Sequence, residues 1–387
     1  MDRPEKRSVA GLPDDPLVEI LSRVSVKDLH RSKCVSKGWR DLIADPLHCK
    51  KLPQTLEGFF HGSDGRYVDL MKRSVPLVDP TFSFLTSNKL LSNIETLRLL
   101  HSCNGLLLFL GHHCNPDTFG YVVCNPATEQ LVAVSPSPFK ESKDGGWAAN
   151  NIFLMFDPAV SSHFHLIQFW SKIKLGIIAV HTFSSATGVW SDRASEWRAG
   201  EEGGGWAQWG MSADMRCWIG TTVFNNMLHF MVRRFGIVRD SHDMIVAVDG
   251  EGKTCRVIPW RENSAYPTFV GQSQGRLFCF SVKLTEMSEL SIWALDDYGT
   301  EEWSLKHRVS FLKLFGKVSC RECDYTVATI HPDRNLIFLF EFCNRKLISY
   351  DMDSKEVHAL CNLGLMYESI TPYVPFFSEL PMLTNKN

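Results

Sequence analysis

The feature that most limits how this chain can fold is a hairpin signal that returns at near-regular intervals between residues 97 and 360. Leu97–Cys103 and Leu106–Leu110 flank Asn104-Gly105, and Thr221–Phe224 and Met227–Val232 flank Asn225-Asn226. Thr268–Gly271 and Arg276–Val282 flank Gln274-Gly275, and Val327–Ile330 and Leu336–Phe342 flank Asp333–Asn335. Asn-Gly and its relatives supply the positive φ that a two-residue hairpin needs. A second strand pair follows in each unit around an acidic or amide-rich turn: 122–134, 179–193, 245–258, 291–305 and 347–360. These turns start near 125, 184, 249, 296 and 351, so they lie 47 to 65 residues apart. That is close to the roughly 50-residue period of some four-stranded propeller units. Five units read directly, residues 55–100 supply about one more, and Met366–Phe377 is placed to close a ring beside an N-terminal strand. The expected architecture is an all-β propeller of five to seven blades, six preferred.

The stretch Leu12–Pro46 has a different period. Asp14 or Asp15 can cap a helix, with Pro16 in the first turn where its missing N–H costs nothing. Leu17, Ile20, Leu21 and Val24 then fall on one helical face. Ser25 with Asp28 reads as a capping box for a second short helix carrying Val26 and Leu29. Val35, Trp39, Leu42 and Ile43 line a third, with Lys33, Lys37, Arg40 and Asp41 toward water. About ten apolar side chains are too few to offset the ordering of about 30 residues. The segment is therefore expected to dock on the rest of the chain or on a partner.

This stretch resembles an F-box: Leu12-Pro13, Glu19-Ile20-Leu21, Arg23, Lys27, Leu29, Val35, Lys37, Trp39, Leu42-Ile43 and Pro46 match in order. It departs at Pro16, where the family usually has Leu, and at Ser25, where it usually has Pro. Downstream, CNPATEQLVAVSPSPF, FDPAVSSHFHLIQF, VHTFSSATGVWSDRASEW, MLHFMVRR and IVAVDGEGKTCRVIPW resemble the propeller-type F-box-associated region of plant F-box proteins. Diglycines do not recur at a fixed phase, since Gly145-Gly146 and Gly203–Gly205 sit in loops, so the likeness to kelch propellers is one of architecture. The resemblance implies a disordered tail at 1–11, a three-helix F-box at 12–50 and a propeller at 51–387. It implies that Leu12, Pro13, Ile20, Leu21, Val24, Leu29, Val35, Trp39, Leu42 and Ile43 dock on a Skp-type adaptor and, through it, a cullin. The chain would then be the non-catalytic substrate-recognition subunit of a Skp/cullin/F-box (SCF) ubiquitin ligase, its propeller loops binding a target protein. The alternative is a non-degradative binding propeller whose F-box is structural or a scaffold.

With 44% apolar and 22% charged residues and a net charge near −2, the 387-residue chain has a folded, soluble composition. Neither nucleic acid nor an anionic membrane is an expected partner at that charge. Apolar runs such as Leu106–Leu110 and Leu336–Phe340 are strand-length, far short of a membrane span. The 12 cysteines are scattered, and Cys124, Cys279 and Cys343 lie in strand-like runs where reduced thiols are the usual reading. No apolar leader-like run and no N-x-Ser/Thr sequon is visible, so the expected location is the cytoplasm or nucleus.

No G-x-S-x-G, Walker A, Rossmann or H-E-x-x-H motif occurs, and no catalytic residue, metal or cofactor is expected. Cys320-x-x-Cys323 lacks the second pair a zinc site needs. His112, His113 and Cys114 read as a solvated loop, and His163 with His165 as a polar strand face. Carboxylates such as Asp296, Asp297, Glu301 and Glu302 are expected to cap turns. Trp190, Trp260, Trp293 and Trp303 are expected at equivalent strand positions, packing between blades. Trp206 and Trp209 sit in a glycine-rich loop and, with His113 and Phe119, are the expected target-binding residues. Candidate recognition loops are His112–Phe119, Ser135–Asn151, Gly200–Gly210 and Arg233–Asp243.

Overall fold

A computed structural model describes residues 12–383, apart from 25–27, 30–31, 33–34, 45–47, 49–51, 53–55, 62–65, 71–77, 80, 89–90, 93, 114–118, 139–147, 173–175, 193–212, 216–219, 235–241, 261–264, 284, 322 and 364–369. The chain begins with a small helical unit holding α1 (Asp14–Leu21) and α2 (Lys37–Ala44), with Asp28, Leu29 and Ser32 helical between them. The expected tail 1–11 and Ser25, Val26 and Lys27 of the expected capping box lie outside the described residues.

α1 starts one step earlier than the Asp caps suggest. Pro13, extended at φ −58° and ψ 157°, is the N-cap, and its carbonyl accepts the Leu17 N–H at 3.3 Å. Asp14 and Asp15 fall inside the first turn, where negative charge suits the helix dipole. Ser36 Oγ accepts the Trp39 N–H at 3.2 Å and so caps α2.

From Gly58 onward the chain is a ring of antiparallel sheets. β1 (Gly58–His61) and β2 (Arg66–Asp69) come first, followed by the single-turn helix α3 (Ser83–Thr86). Four full blades and one augmented blade follow. They are β3 (Ile94–Cys103), β4 (Leu106–His113), β5 (Phe119–Asn125), β6 (Gln130–Val134); then β7 (Ala148–Met155), β8 (His165–Lys172), β9 (Gly176–Ser184), β10 (Val189–Asp192). Next are β11 (Ala213–Met215), β12 (Thr221–Phe224), β13 (Met227–Arg234), β14 (His242–Val248), β15 (Thr254–Pro259); then β16 (Ala265–Ser273), β17 (Arg276–Lys283), β18 (Glu289–Asp297), β19 (Glu302–Ser310). The helix α4 (Phe311–Phe315) leads into β20 (Tyr325–Ile330), β21 (Leu336–Glu341), β22 (Lys346–Asp351) and β23 (Val357–Asn362).

The sixth blade closes the ring, with sheet order β2-β1-β24, where β24 is Ile370–Tyr373. Gly58 pairs with Tyr373 and His61 with Ile370, so chain positions more than 300 residues apart share one sheet. Residues 55–100 therefore do not form one blade. They supply two strands of the closing blade and the first strand of the next.

The turns obey the chemistry that the sequence advertises. Asn104 and Gly105 have φ of 46° and 91°, and Asn225 and Asn226 have 51° and 55°. The outer turns are held by their first polar residue. Asp297 Oδ1 accepts the Gly299 N–H at 2.6 Å, Asp351 Oδ1 that of Asp353 at 2.8 Å, and Asp249 Oδ1 that of Glu251 at 2.9 Å. Asp296 and Glu301 do not cap turns. Asp296 pairs with Lys306 at 2.7 Å, and Glu301 pairs with Arg256 at 3.2 Å in the neighbouring blade.

Each blade is buried on both faces against its neighbours, which is why middle strands such as Leu336–Glu341 read as continuous apolar runs. The tryptophans do pack between blades. Trp260 meets Trp293 at 6.0 Å and Trp303 at 5.6 Å, and the Trp190 indole donates to the Ser135 carbonyl at 2.9 Å. Their positions are not equivalent: Trp190 and Trp303 lie on fourth strands, Trp293 on a third, and Trp260 just after β15. Packing chemistry, not repeat phase, selects them.

Candidate functional site

Antiparallel alternation gives the ring two unlike faces. The turns between first and second, and third and fourth, strands of each blade are short and lie on one face, here the turn face. The connections between second and third strands, and from blade to blade, lie on the other, the loop face. Apart from 156–164 and the connection that leaves β2 at the turn face after Asp69, the long connections join strand ends on the loop face. The strand ends that bound the candidate recognition loops, His113 and Phe119, Val134 and Ala148, Asp192 and Ala213, and Arg234 and His242, all lie on the loop face. Trp206 and Trp209 lie outside the described residues, while His113 and Phe119 end one strand and begin the next.

The helical unit joins the ring from the opposite side. Leu56 and Glu57 lead into β1 at the turn face, where the Glu57 N–H donates to the Tyr373 carbonyl at 3.0 Å. The turn face also carries the chain after β24. The Asn125 amide donates to the Phe376 carbonyl at 2.8 Å, and Phe376, Leu380 and Leu383 enter the core of the first two full blades.

Within the helical unit the apolar residues divide into two sets. Leu17, Val18, Leu21, Leu29, Leu42, Ile43 and Leu52 form a small core of their own, with Val24 and Trp39 packed against it. Leu21, Leu29, Leu42 and Ile43, expected among the adaptor-docking residues, are buried in this core. Leu21 is only 2% exposed, whereas Leu12 is 40%, Ile20 50% and Val35 65% exposed. Pro13 is also exposed.

Ile20 leaves the face it was expected to share. At about 100° per residue, Leu17, Val18 and Leu21 fit within one stripe, and Ile20 sits about 60° outside it. Four apolar residues on α1 cover more of the helix than so small a core can bury. Lys37, Arg40 and Asp41 face water as their periodicity requires, and Lys33 lies outside the described residues.

The clusters that could suggest chemistry do not converge. Cys320 is buried in the core between two blades and burial pushes its thiol up to about 11, while Cys323 is exposed. His163 and His165 lie beside β8, with His165 against the Gly250 turn of the next blade and its imidazole pKa held down by burial. No group of three or more His, Cys, Asp or Glu among the described residues is arranged to hold a metal. No helix among them is long and apolar enough to cross a membrane.

The sequence reading missed a channel. The first strands of the blades surround a cavity of about 1230 Å³, lined by all six blades. Its wall carries threonines, asparagines and glutamines on otherwise apolar strands. His101 belongs to it: the Leu154 N–H donates to Nδ1 at 3.3 Å, so Nε2 carries the hydrogen and donates to Thr221 Oγ1 at 2.9 Å. Burial lowers the His101 pKa to about 4. The available signal was polar residues on first strands, visible once strand order in each blade is known.

The architecture is a small helical unit with exposed apolar side chains, joined to the turn face of a closed six-bladed ring. Residues 10–51 match the F-box domain, and residues 60–362 match the family described as F-box protein At3g26010-like, beta-propeller. The second match covers well over half of the chain, and the chain belongs to this family of F-box propeller proteins. It is 27% identical over 186 residues to the Putative F-box protein At3g16210 of Arabidopsis thaliana, covering 47% of this chain and 46% of that one. It is 28% identical over 196 residues to F-box protein At5g07610 of the same plant, covering 46% and 44%. The Putative F-box/kelch-repeat protein At3g17280, also of A. thaliana, is 30% identical over 145 residues, covering 35% and 36%. The chain spans less than half the length of each of these relatives.

Proposed function

We propose that this chain is the substrate-recognition subunit of an SCF-type ubiquitin ligase. Its F-box docks on a Skp-type adaptor, and so on a cullin, while the loop face of the propeller holds a target protein. The observation that carries this reading is the division within the F-box. Its core closes on itself, yet Leu12, Pro13, Ile20 and Val35 stay exposed at positions where the F-box pattern meets the adaptor. Single exposed apolar side chains are ordinary. Here their positions, not their number, carry the argument.

In this reading the adaptor contacts are Leu12, Pro13, Ile20 and Val35, with part of Trp39 and Val24. Leu21, Leu29, Leu42 and Ile43 act through the core that positions them. The chain contributes proximity: a rigid ring holds the target near the ubiquitin-charged enzyme, and no bond chemistry occurs on its own residues. Mixing the purified chain with a Skp-type adaptor and a cullin tests it by size-exclusion chromatography. Co-elution of all three is expected, and separate elution of the chain would refute the reading.

A further inference from the structure

The channel is electrically lopsided. Among its described lining residues Arg98 is the one permanent cation and Asp333 the one carboxylate. Arg98 is the fifth of the ten residues of β3, five before its end at Cys103, and of the β3 residues that line the cavity it is the one furthest toward the loop face, since first strands run from the loop face to the turn face. Asp333 lies beyond Ile330, in the turn after β20, hence at the turn-face mouth. At about 3.3 Å per residue the two are separated by roughly 16 Å of strand or more. That is about twice the screening length of roughly 8 Å at physiological salt, so Asp333 does not neutralise Arg98.

Other lining residues toward the loop-face end of the cavity carry donors. Asn151 is the fourth residue of β7, Thr326 the second of β20, and His112 the penultimate of β4; all line the cavity. No hydrogen bond or ion pair occupies the side chains of Arg98, Asn151, Thr326 or His112 among the described residues. A guanidinium with amide and hydroxyl donors, and no carboxylate among the described residues that line this end of the cavity, is built to receive an anion, by charge-assisted hydrogen bonds. The cavity, about 1230 Å³, exceeds the roughly 300–1,000 Å³ of small-molecule pockets, which favours a peptide segment over a metabolite.

We infer that the loop-face mouth of the channel receives an anionic side chain of a target segment, a carboxylate or a phosphate monoester, with Arg98 as its principal contact. This deepens the proposed function, since the mouth opens among the recognition loops, but it does not require the adaptor reading to hold.

Calorimetric titration of the full chain tests it, using a hexaglutamate peptide, a glycine-flanked phosphoserine peptide and a hexaglutamine control. At least one anionic peptide is expected to bind, more weakly at high salt, and hexaglutamine is not. Arg98→Gln should weaken that binding roughly ten- to hundred-fold. Arg98→Lys should retain most of it, and Lys313→Gln, which removes an exposed cation outside the channel, should leave it unchanged. The tighter of the two anionic peptides names the source. Absence of binding by both, equal binding by Arg98→Gln, or equal losses in Arg98→Gln and Lys313→Gln would overturn the inference. Adaptor capture is measured on the same proteins: peptide binding without capture sinks the ligase reading alone, and capture without Arg98-dependent binding sinks this one alone.

Discussion

Gly105 shows how much a single turn residue carries in this ring. Its φ of 91° is unfavourable for any residue with a side chain, and an added Cβ would lie 2.3 Å from that of Phe376 in the strap across the turn face. Gly275 occupies the matching turn three blades on, at φ 69°, with nothing within 4 Å of an added Cβ. Gly275→Ala should therefore cost about 1 kcal/mol from backbone strain alone. Gly105→Ala should cost about 2–4 kcal/mol, because the strap must also move. Urea denaturation midpoints of the two variants measure the difference. Buried histidines set the pH response. Burial holds His101, His229 and His331 at about 4, below the ordinary 6.5. They are neutral in the fold, while the unfolded chain takes up protons as the pH falls past 6.5. Their contribution is complete above pH 6.5 and is lost as the pH drops toward 4. Urea midpoints should fall across that window, and His229→Gln should flatten the fall.

At the scale of elements, hairpins with short turns rich in Gly, Asn and Asp were legible, and the one with a long connection was not. Asn104-Gly105, Asn225-Asn226 and Gln274-Gly275 mark their turns because positive φ restricts the residue choice. The β7–β8 hairpin escaped because its connection, 156–164, has no such restriction and is held instead by side chains. There Ser185 Oγ accepts the Phe164 N–H at 2.9 Å and the Asn104 amide donates to the Phe156 carbonyl at 2.7 Å. The closing strand was legible as a short β-rich run near the C-terminus, whereas the division of the α1 residues was not. Periodicity finds an apolar stripe but does not say which edge of it a small core will cover. Closure makes a prediction of its own. Removing residues 370–387 deletes β24 and the strap, leaving β1 with an unpaired edge and stripping partners from Phe60 and Asn125. The truncated chain should lose its cooperative thermal transition and aggregate, as followed by circular dichroism and light scattering.

Taken whole, the molecule separates two tasks by direction. The helical unit enters at the turn face, and the long loops and the Arg98 mouth of the channel open at the loop face. Nothing in the sequence states this polarity; it emerges from counting strand directions around a closed ring. Its consequence is that changes on the loop face and changes on the F-box should act independently. Arg98→Gln is expected to leave adaptor capture at its wild-type level, as a pull-down would show. The central claim rests on side chains that the F-box leaves outside its own core. The measurement that reaches it most directly is an adaptor pull-down with the Ile20→Ser, Val35→Ser double variant, alongside its melting curve. Capture should fall at least tenfold with the melting temperature unchanged, because both residues are half or more exposed and support no core. Undiminished capture by a normally folded double variant would contradict the account.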